Sequence, residues 1–157
     1  MKNSFGLLFL FLLFSIIQLR AQQYTLYCNG RFGFCFSYPK DMKSDPPPDN
    51  GDGICVRDGH GLVITCSGIG NVLFDSVQSE MESTSKRFDK ITYKAKGNNW
   101  FVLSGYNGKN ILYIKTFIGK EQINDLYLEY PKELKDKYDK IVSKVIRSFK
   151  PGDLDNN

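Results

Sequence analysis

Four cysteines, Cys28, Cys35, Cys55 and Cys66, are the first residues in this chain whose type could do chemistry. Paired, they form disulfides; as thiolates at CxxC spacing, with histidine, they hold a metal. The chain has no CxxC pair and a single histidine, His60, so the spacing favours bridges. Four cysteines allow three connectivities, and sequence alone does not choose among them. Turn signals lend weight to Cys28 with Cys35, which flank an Asn29-Gly30 corner, and to Cys55 with Cys66, which lie on two strands joined through Gly59-His60-Gly61. A two-residue loop in that second turn would aim both sulfurs at one face.

His60 sits between glycines and reads as a turn residue with its ring in water. No GxSxG elbow, HExxH, GxGxxG or phosphate-cradling loop accompanies it, so no catalytic residue is assigned and the chain is not expected to be an enzyme. Asp125 and Glu129 form a carboxylate pair of the kind that does acid/base work on sugars. They stand four apart on one predicted strand, where ordinary solvent exposure accounts for them. The loop Asp45-Pro46-Pro47-Pro48-Asp49-Asn50-Gly51-Asp52-Gly53 places acids among glycines and invites a calcium reading. A calcium loop started at Asp49 needs oxygen side chains at its first, third and fifth positions, but finds Asp49, Gly51 and Gly53 there. The loop is read as a polyproline segment and a turn, and no metal or cofactor is expected. What remains for a partner are Asp49, Asn50 and Asp52 on this loop, and Tyr106 and Tyr113 on the less covered side of a sheet.

The elements that must position these groups are clearest from Trp100 to Phe149. Asn107-Gly108 is a strong two-residue hairpin signal. It sets Tyr106 opposite Lys109, Leu103 opposite Leu112 and Phe101 opposite Ile114. If Gly119-Lys120-Glu121 is an unpaired loop of three, Leu126 and Leu128 face Ile114 and Leu112, giving one apolar surface on three strands. A one-residue slip would turn Leu126 and Leu128 to the other side. From Pro131 onward Leu134, Tyr138, Ile141, Val145 and Phe149 recur at helical steps, and this stripe is expected to cover that surface. Upstream, Phe32, Phe34, Phe36 and Tyr38 alternate as a half-buried strand ending at Pro39. A second helical pattern runs through Phe74, Val77, Met81, Thr84 and Phe88, with Asp75 or Asn71 as its N-cap. Ile91 to Lys96 is read as a strand leading into the hairpins.

Residues 1–21 read as a secretory signal peptide: a lysine near the start, an apolar run from Phe5 to Leu19, and Ala21 at the cleavage position. The domain is expected to occupy residues 22–150, with residues 151–157 fraying. Loss of the leader removes Lys2 and Arg20 and leaves 19 basic against 17 acidic residues, so nothing calls for nucleic acid or an anionic membrane as partner. Export, to the periplasm or outside the cell, suits persistent disulfides.

The order of these elements, with "FGFCFSYP", "NGDG", "DGHGLVI" and the closing "EYPKELKDKYDKIVSKVIRSFKP", resembles the PsbP-like (PsbP/Mog-type) superfamily. The resemblance implies an α+β fold, an antiparallel sheet of about six strands between flanking helices, and a binding or accessory role without catalysis. None of the superfamily's binding residues maps onto a position here, and the four cysteines depart from its pattern. The resulting expectation is a secreted or periplasmic, non-catalytic protein with an unidentified protein partner in the envelope or outside, and with its oligomeric state open. Alternatives are a small-molecule or metal binder with weak hydrolytic activity, and an immunity or chaperone protein for an exported toxin.

Overall fold

The computed structural model describes residues 22–155 apart from residue 74. The expected leader, the stripe position Phe74 and the last two asparagines lie outside the described residues. Nine strands and two helices follow in order: β1 (Tyr24–Cys28), β2 (Cys35–Pro39), β3 (Lys43–Ser44), β4 (Gly53–Arg57), β5 (Val63–Gly70), α1 (Val77–Ser85), β6 (Lys90–Lys96), β7 (Trp100–Asn107), β8 (Asn110–Ile118), β9 (Gln122–Pro131) and α2 (Lys135–Ser148), the last entered through a single 3-10 turn at Lys132–Leu134. β1 and β2 form a hairpin of their own. The other seven strands make one antiparallel sheet in the order β3-β4-β5-β9-β8-β7-β6, an α+β architecture with one helix on each face. Among the described residues no helix is long and apolar enough to cross a membrane.

Side-chain alternation assigns the two faces. One carries Val56, Ile64, Cys66, Leu126, Leu128 and Tyr130, and packs beneath Tyr138, Val142, Val145 and Phe149 of the α2 region and Phe32, Phe34 and Phe36 of the β2 region. Gly68 lies on this face under the Phe32 ring, 2.4 Å from where a Cβ would stand, so no larger residue fits there. The opposite face carries Phe101, Leu103, Ile118 and Ile123, closed by Met81 of α1 with Val77 and Phe88 at the margin. Ser76 caps α1, its hydroxyl accepting from the Ser79 N–H while Ser79 Oγ accepts from the Ser76 N–H. Asp75 is therefore not the cap. Asn71 instead ties the preceding loop, exchanging hydrogen bonds with the Asp75 backbone and donating to the Gly119 carbonyl.

Two turns depart from the expected register, for physical reasons. At the β7–β8 turn Asn107 pairs with Asn110, not Tyr106 with Lys109, so Gly108 and Lys109 form the loop. The α1–β6 connection holds it there: Asn107 donates to the Arg87 carbonyl, and the Gly108 N–H donates to Asp89 Oδ2 at 2.7 Å. That shift is by two residues and leaves every side chain on its expected face. At the β8–β9 turn the shift is by one. Only Lys120 and Glu121 are unpaired, the Gly119 N–H reaching the Gln122 carbonyl, and Ile114 opposes Tyr127 instead of Leu126. The surface expected to unite Leu103, Leu112, Ile114, Leu126 and Leu128 is thus two surfaces. Leu126 and Leu128 lie beneath α2, and Leu103, Leu112 and Ile114 lie on the α1 face, all five buried.

The residues that set this turn are the ones expected to fray. The Lys120 N–H donates to Asp155 Oδ1, the Glu121 N–H to the Leu154 carbonyl, and the Gly152 N–H to Asn124 Oδ1. Leu154 is buried, and a Cβ on Gly119 would come within 2.2 Å of its carbonyl oxygen.

One of the two expected disulfides is present. Cys28 and Cys35 stand directly opposite at the end of the β1–β2 hairpin and are bridged, with Cα atoms 4.1 Å apart. Cys55 and Cys66 are free. The turn between their strands holds three residues, closed by Asp58 and Leu62, so Cys55 opposes Thr65 while Cys66 opposes Ile54, and the two sulfurs point to opposite faces. Burial pushes both thiols up from their ordinary pKa, that of Cys66 well up, which leaves them protonated and unreactive near neutrality.

Candidate binding cleft

The face under α2 is not covered to its edge. Beyond the helix, β6, β7 and β8 carry a row in which Tyr93, Ser104 and Tyr113 are successive neighbours, and β7, β8 and β9 carry a second row of Tyr106, Ile111 and Tyr130. With Val142, Ser143 and Ile146 of α2, the side chains of Thr92, Ser104, Tyr106, Ile111, Tyr113 and Tyr130 line a cleft of about 240 Å³, and Tyr93 stands beside it on the same face. Tyr106 and Tyr113, expected from sequence to face a partner, meet here. A bulge brings Tyr93 to the same face, beside the cleft. Ile91 opposes Gly105 and Tyr93 opposes Ser104, so Thr92 is an extra residue in the edge strand. Without that insertion strict alternation would put Tyr93 on the α1 face.

The cleft is aromatic and rich in hydrogen-bond donors. Tyr93 and Tyr106 are exposed, Tyr113 is half-buried and the Tyr130 ring is covered. Among the described residues none of these four hydroxyls has a protein partner. Burial, with Tyr93 nearby, pushes the Tyr113 phenol up to about 12. Burial and then Asp139 push Tyr130 up, with Lys135 opposing. Raised in this way, Tyr113 and Tyr130 remain neutral phenols able to donate at physiological pH. The charged groups at the rim, Lys135 and Asp139, pair with each other one helical turn apart.

Other predicted groups are placed differently. Asn50 and Asp52 are engaged within the molecule: Asp52 forms an ion pair with Arg31 at 2.7 Å, the same guanidinium donates to the Asn50 carbonyl, and Asn50 donates to Asp52. Asn29 adds a bond to the Gly51 carbonyl, which clips the loop to the β1–β2 corner. Asp49 and the three prolines stay exposed, on the edge of the sheet opposite the tyrosine cleft. His60 is exposed, and its backbone N–H donates to Asp58. Asp58 is a latch: Oδ1 accepts from the N–H groups of His60 and Leu62, and Oδ2 accepts from Tyr138 at 2.6 Å with Lys137 at 3.8 Å. Burial alone would raise its pKa, but the Tyr138 hydroxyl, the two N–H groups and Lys137 more than offset that and hold it low.

Asp125 and Glu129 are not simply solvated. They lie on the α1 face, where Thr116 donates to Asp125 and both Tyr127 and Asn110 donate to Glu129. Burial pushes Asp125 up to about 6, with Glu80 adding to the rise and Thr116 and Arg87 opposing it. Four residues of extended strand separate the two carboxyls by roughly 13 Å, beyond the spans of about 5 to 9.5 Å that glycoside hydrolysis uses. Tyr93 and Tyr130 were missed in the sequence. Tyr130 shares the parity of Leu126 and Leu128 and was legible on that ground, whereas nothing local marks the bulge that turns Tyr93.

No family model matches this sequence, and no curated protein matches it. Among solved structures, the chain is similar to the solution structure of cyanobacterial PsbP (CyanoP) from Synechocystis sp. PCC 6803, with a TM-score of 0.58 at 11% identity over 87% of this chain and 97% of that one. It is also similar to the crystal structure of the Saccharomyces cerevisiae Ran-binding protein Mog1p, with a TM-score of 0.54 at 8% identity over 86% of this chain and 97% of that one. Likeness at such identity is a likeness of fold, and the seven-stranded antiparallel sheet between two helices is accordingly a PsbP/Mog-type fold.

Proposed function

We propose that this chain is a secreted or periplasmic binding protein without catalytic activity, and that it takes its partner at the tyrosine cleft. The observation that carries the reading is the convergence of Tyr106, Tyr113 and Tyr130 from three adjacent strands onto one open groove, with Tyr93 beside it and no protein partner for their hydroxyls among the described residues. Tyrosines present large rigid surface together with a polar tip, which suits them to recognition. The Cys28–Cys35 bridge and the apolar leader expected at residues 1–21 support export.

Retention of envelope components by the immobilised chain tests this. Tyr106→Ala with Tyr113→Ala is expected to lower the retained material by about tenfold or more, the loss typical of a truncated recognition hot spot. A chain with Pro46, Pro47 and Pro48 replaced by serine is expected to keep that material. Equal retention by the cleft variant, or none by the intact chain, would remove the support.

A further inference from the structure

The polyproline loop and the tyrosine cleft are chemically complementary. A polyproline segment has no internal hydrogen bonds, and its prolines have no N–H, so it presents carbonyl acceptors and apolar rings; in this loop the Pro48 carbonyl accepts from the Gly51 N–H, which leaves those of Pro46 and Pro47 to a partner. The cleft offers the converse: phenol donors without protein partners, aromatic faces and the apolar side chains of Ile111, Val142 and Ile146. Grooves lined with aromatic residues are a recurring means of holding such segments. Dimensions agree as well. Pro46 to Pro48 extend over about 9 Å in polyproline geometry, and the two tyrosine rows, two residues apart along the strands, are roughly 7 Å apart.

Charge adds a polarity. Asp45 and Asp52 are paired with Arg57 and Arg31, which leaves Asp49 as the exposed acid beside the prolines. At the cleft, Lys90 opposes Tyr106 on the edge strand and is exposed, with no ion pair among the described residues.

The loop cannot reach the cleft of its own molecule. It joins β3 to β4 at one edge of the sheet and is held there by the Arg31 and Arg57 ion pairs, and the cleft centres on β8 and β7, four to five strand spacings or roughly 20 Å away. We propose that the tyrosine cleft of one copy receives the Asp45-Pro46-Pro47-Pro48-Asp49 segment of a second copy of this chain. The contact is head-to-tail, using a different surface on each partner, so it propagates unless a ring closes. Three prolines bury little area, which makes the contact weak and concentration-dependent. This inference rests on the reading of the cleft as a binding site.

Sedimentation of the chain from Gln22 onward, which contains every described element, tests the proposal. The weight-average mass is expected to rise between about 10 μM and about 1 mM, the range for contacts of this size. The cleft variant, Tyr106→Ala with Tyr113→Ala, and a loop variant with Pro46, Pro47 and Pro48 changed to serine should each stay monomeric. Tyr106 and the three prolines are exposed and Tyr113 is half-buried, so both variants are expected to fold. Mixed together they should form a one-to-one complex and grow no further, because one supplies only the loop and the other only the cleft. A peptide of residues 44–50 should move the Tyr106 and Tyr113 ring resonances of the intact chain, and should inhibit its association. A wild-type chain that is monomeric at about 1 mM, variants that associate like the wild type, or a mixture that does not complement would each overturn self-docking. If the chain is monomeric but the cleft variant still loses its envelope material, the cleft reading stands and the second-copy occupant falls. If neither loss occurs, both fall.

Discussion

At the scale of single residues, two aspartates show how environment separates groups of one chemical type. Asp58 is held low by donors on every side, whereas Asp125 is pushed up to about 6 because burial and Glu80 outweigh Thr116 and Arg87. A carboxyl whose pKa is higher folded than unfolded stabilises the protein fully below its unfolded value, and that contribution is lost as pH rises through the folded value. For Asp125 the loss falls between about pH 4 and about pH 6. Asp125→Asn is expected to flatten the stability profile over that window. It should raise stability at pH 7 by on the order of 1 kcal/mol, less than a fully enclosed carboxyl would give because the residue is partly exposed. Urea unfolding at pH 4 and pH 7 measures both effects, and an unchanged slope in the variant would count against the burial argument. Asp125 itself was read from sequence as a solvated residue. Its enclosure comes from α1, an element some forty positions earlier, which no local pattern around β9 reports.

At the scale of elements, the β1–β2 hairpin depends on its cross-link more than the main sheet does on anything comparable. It is two strands of five residues, attached to the rest through the packing of Phe34 and Phe36 and a bridge between Cys35 and Lys150. Two-stranded hairpins are marginal alone. Replacing Cys28 and Cys35 by serine is expected to cost about 2 kcal/mol, the chain-entropy value for so short a loop, seen as a lower urea midpoint. If reduction of the wild-type chain leaves that midpoint unmoved, the bridge contributes nothing to stability. The same element scale explains the uneven legibility of the cysteines. Cys28 and Cys35 flank a recognisable corner and were paired correctly, whereas the Cys55–Cys66 expectation depended on whether a Gly-His-Gly turn holds two or three residues. One residue there reverses the face of everything beyond it.

Across the whole molecule, the C-terminal residues do more than end the chain. By bonding Lys120, Glu121 and Asn124 they hold the β8–β9 turn at two residues, and the turn length decides which leucines face which helix. Truncation after Lys150 is expected to lower stability by about 2 to 4 kcal/mol, from the burial of Leu154 and the loss of these bonds. Gly119→Ala should cost a sizeable part of that by forcing Leu154 away. Equal urea midpoints for the full and truncated chains would show the tail to be dispensable.

The sequence by itself determined what depends on neighbours in the chain: the strand and helix patterns, the turn positions, the α2 stripe with Tyr138 and Val145 at its centre, and the α+β class. Tyr106 and Tyr113 were also legible, because a two-residue error in the hairpin preserves parity. Only the tertiary structure decided the division of the apolar residues between two faces, the single disulfide, the seating of the tail and the turn of Tyr93 to the cleft face. All but the seating of the tail, which itself holds one of the turns, rest on a shift of one residue in a turn or a bulge. Such shifts are set by contacts between segments far apart in the chain, and a period-two element changes face with every one of them.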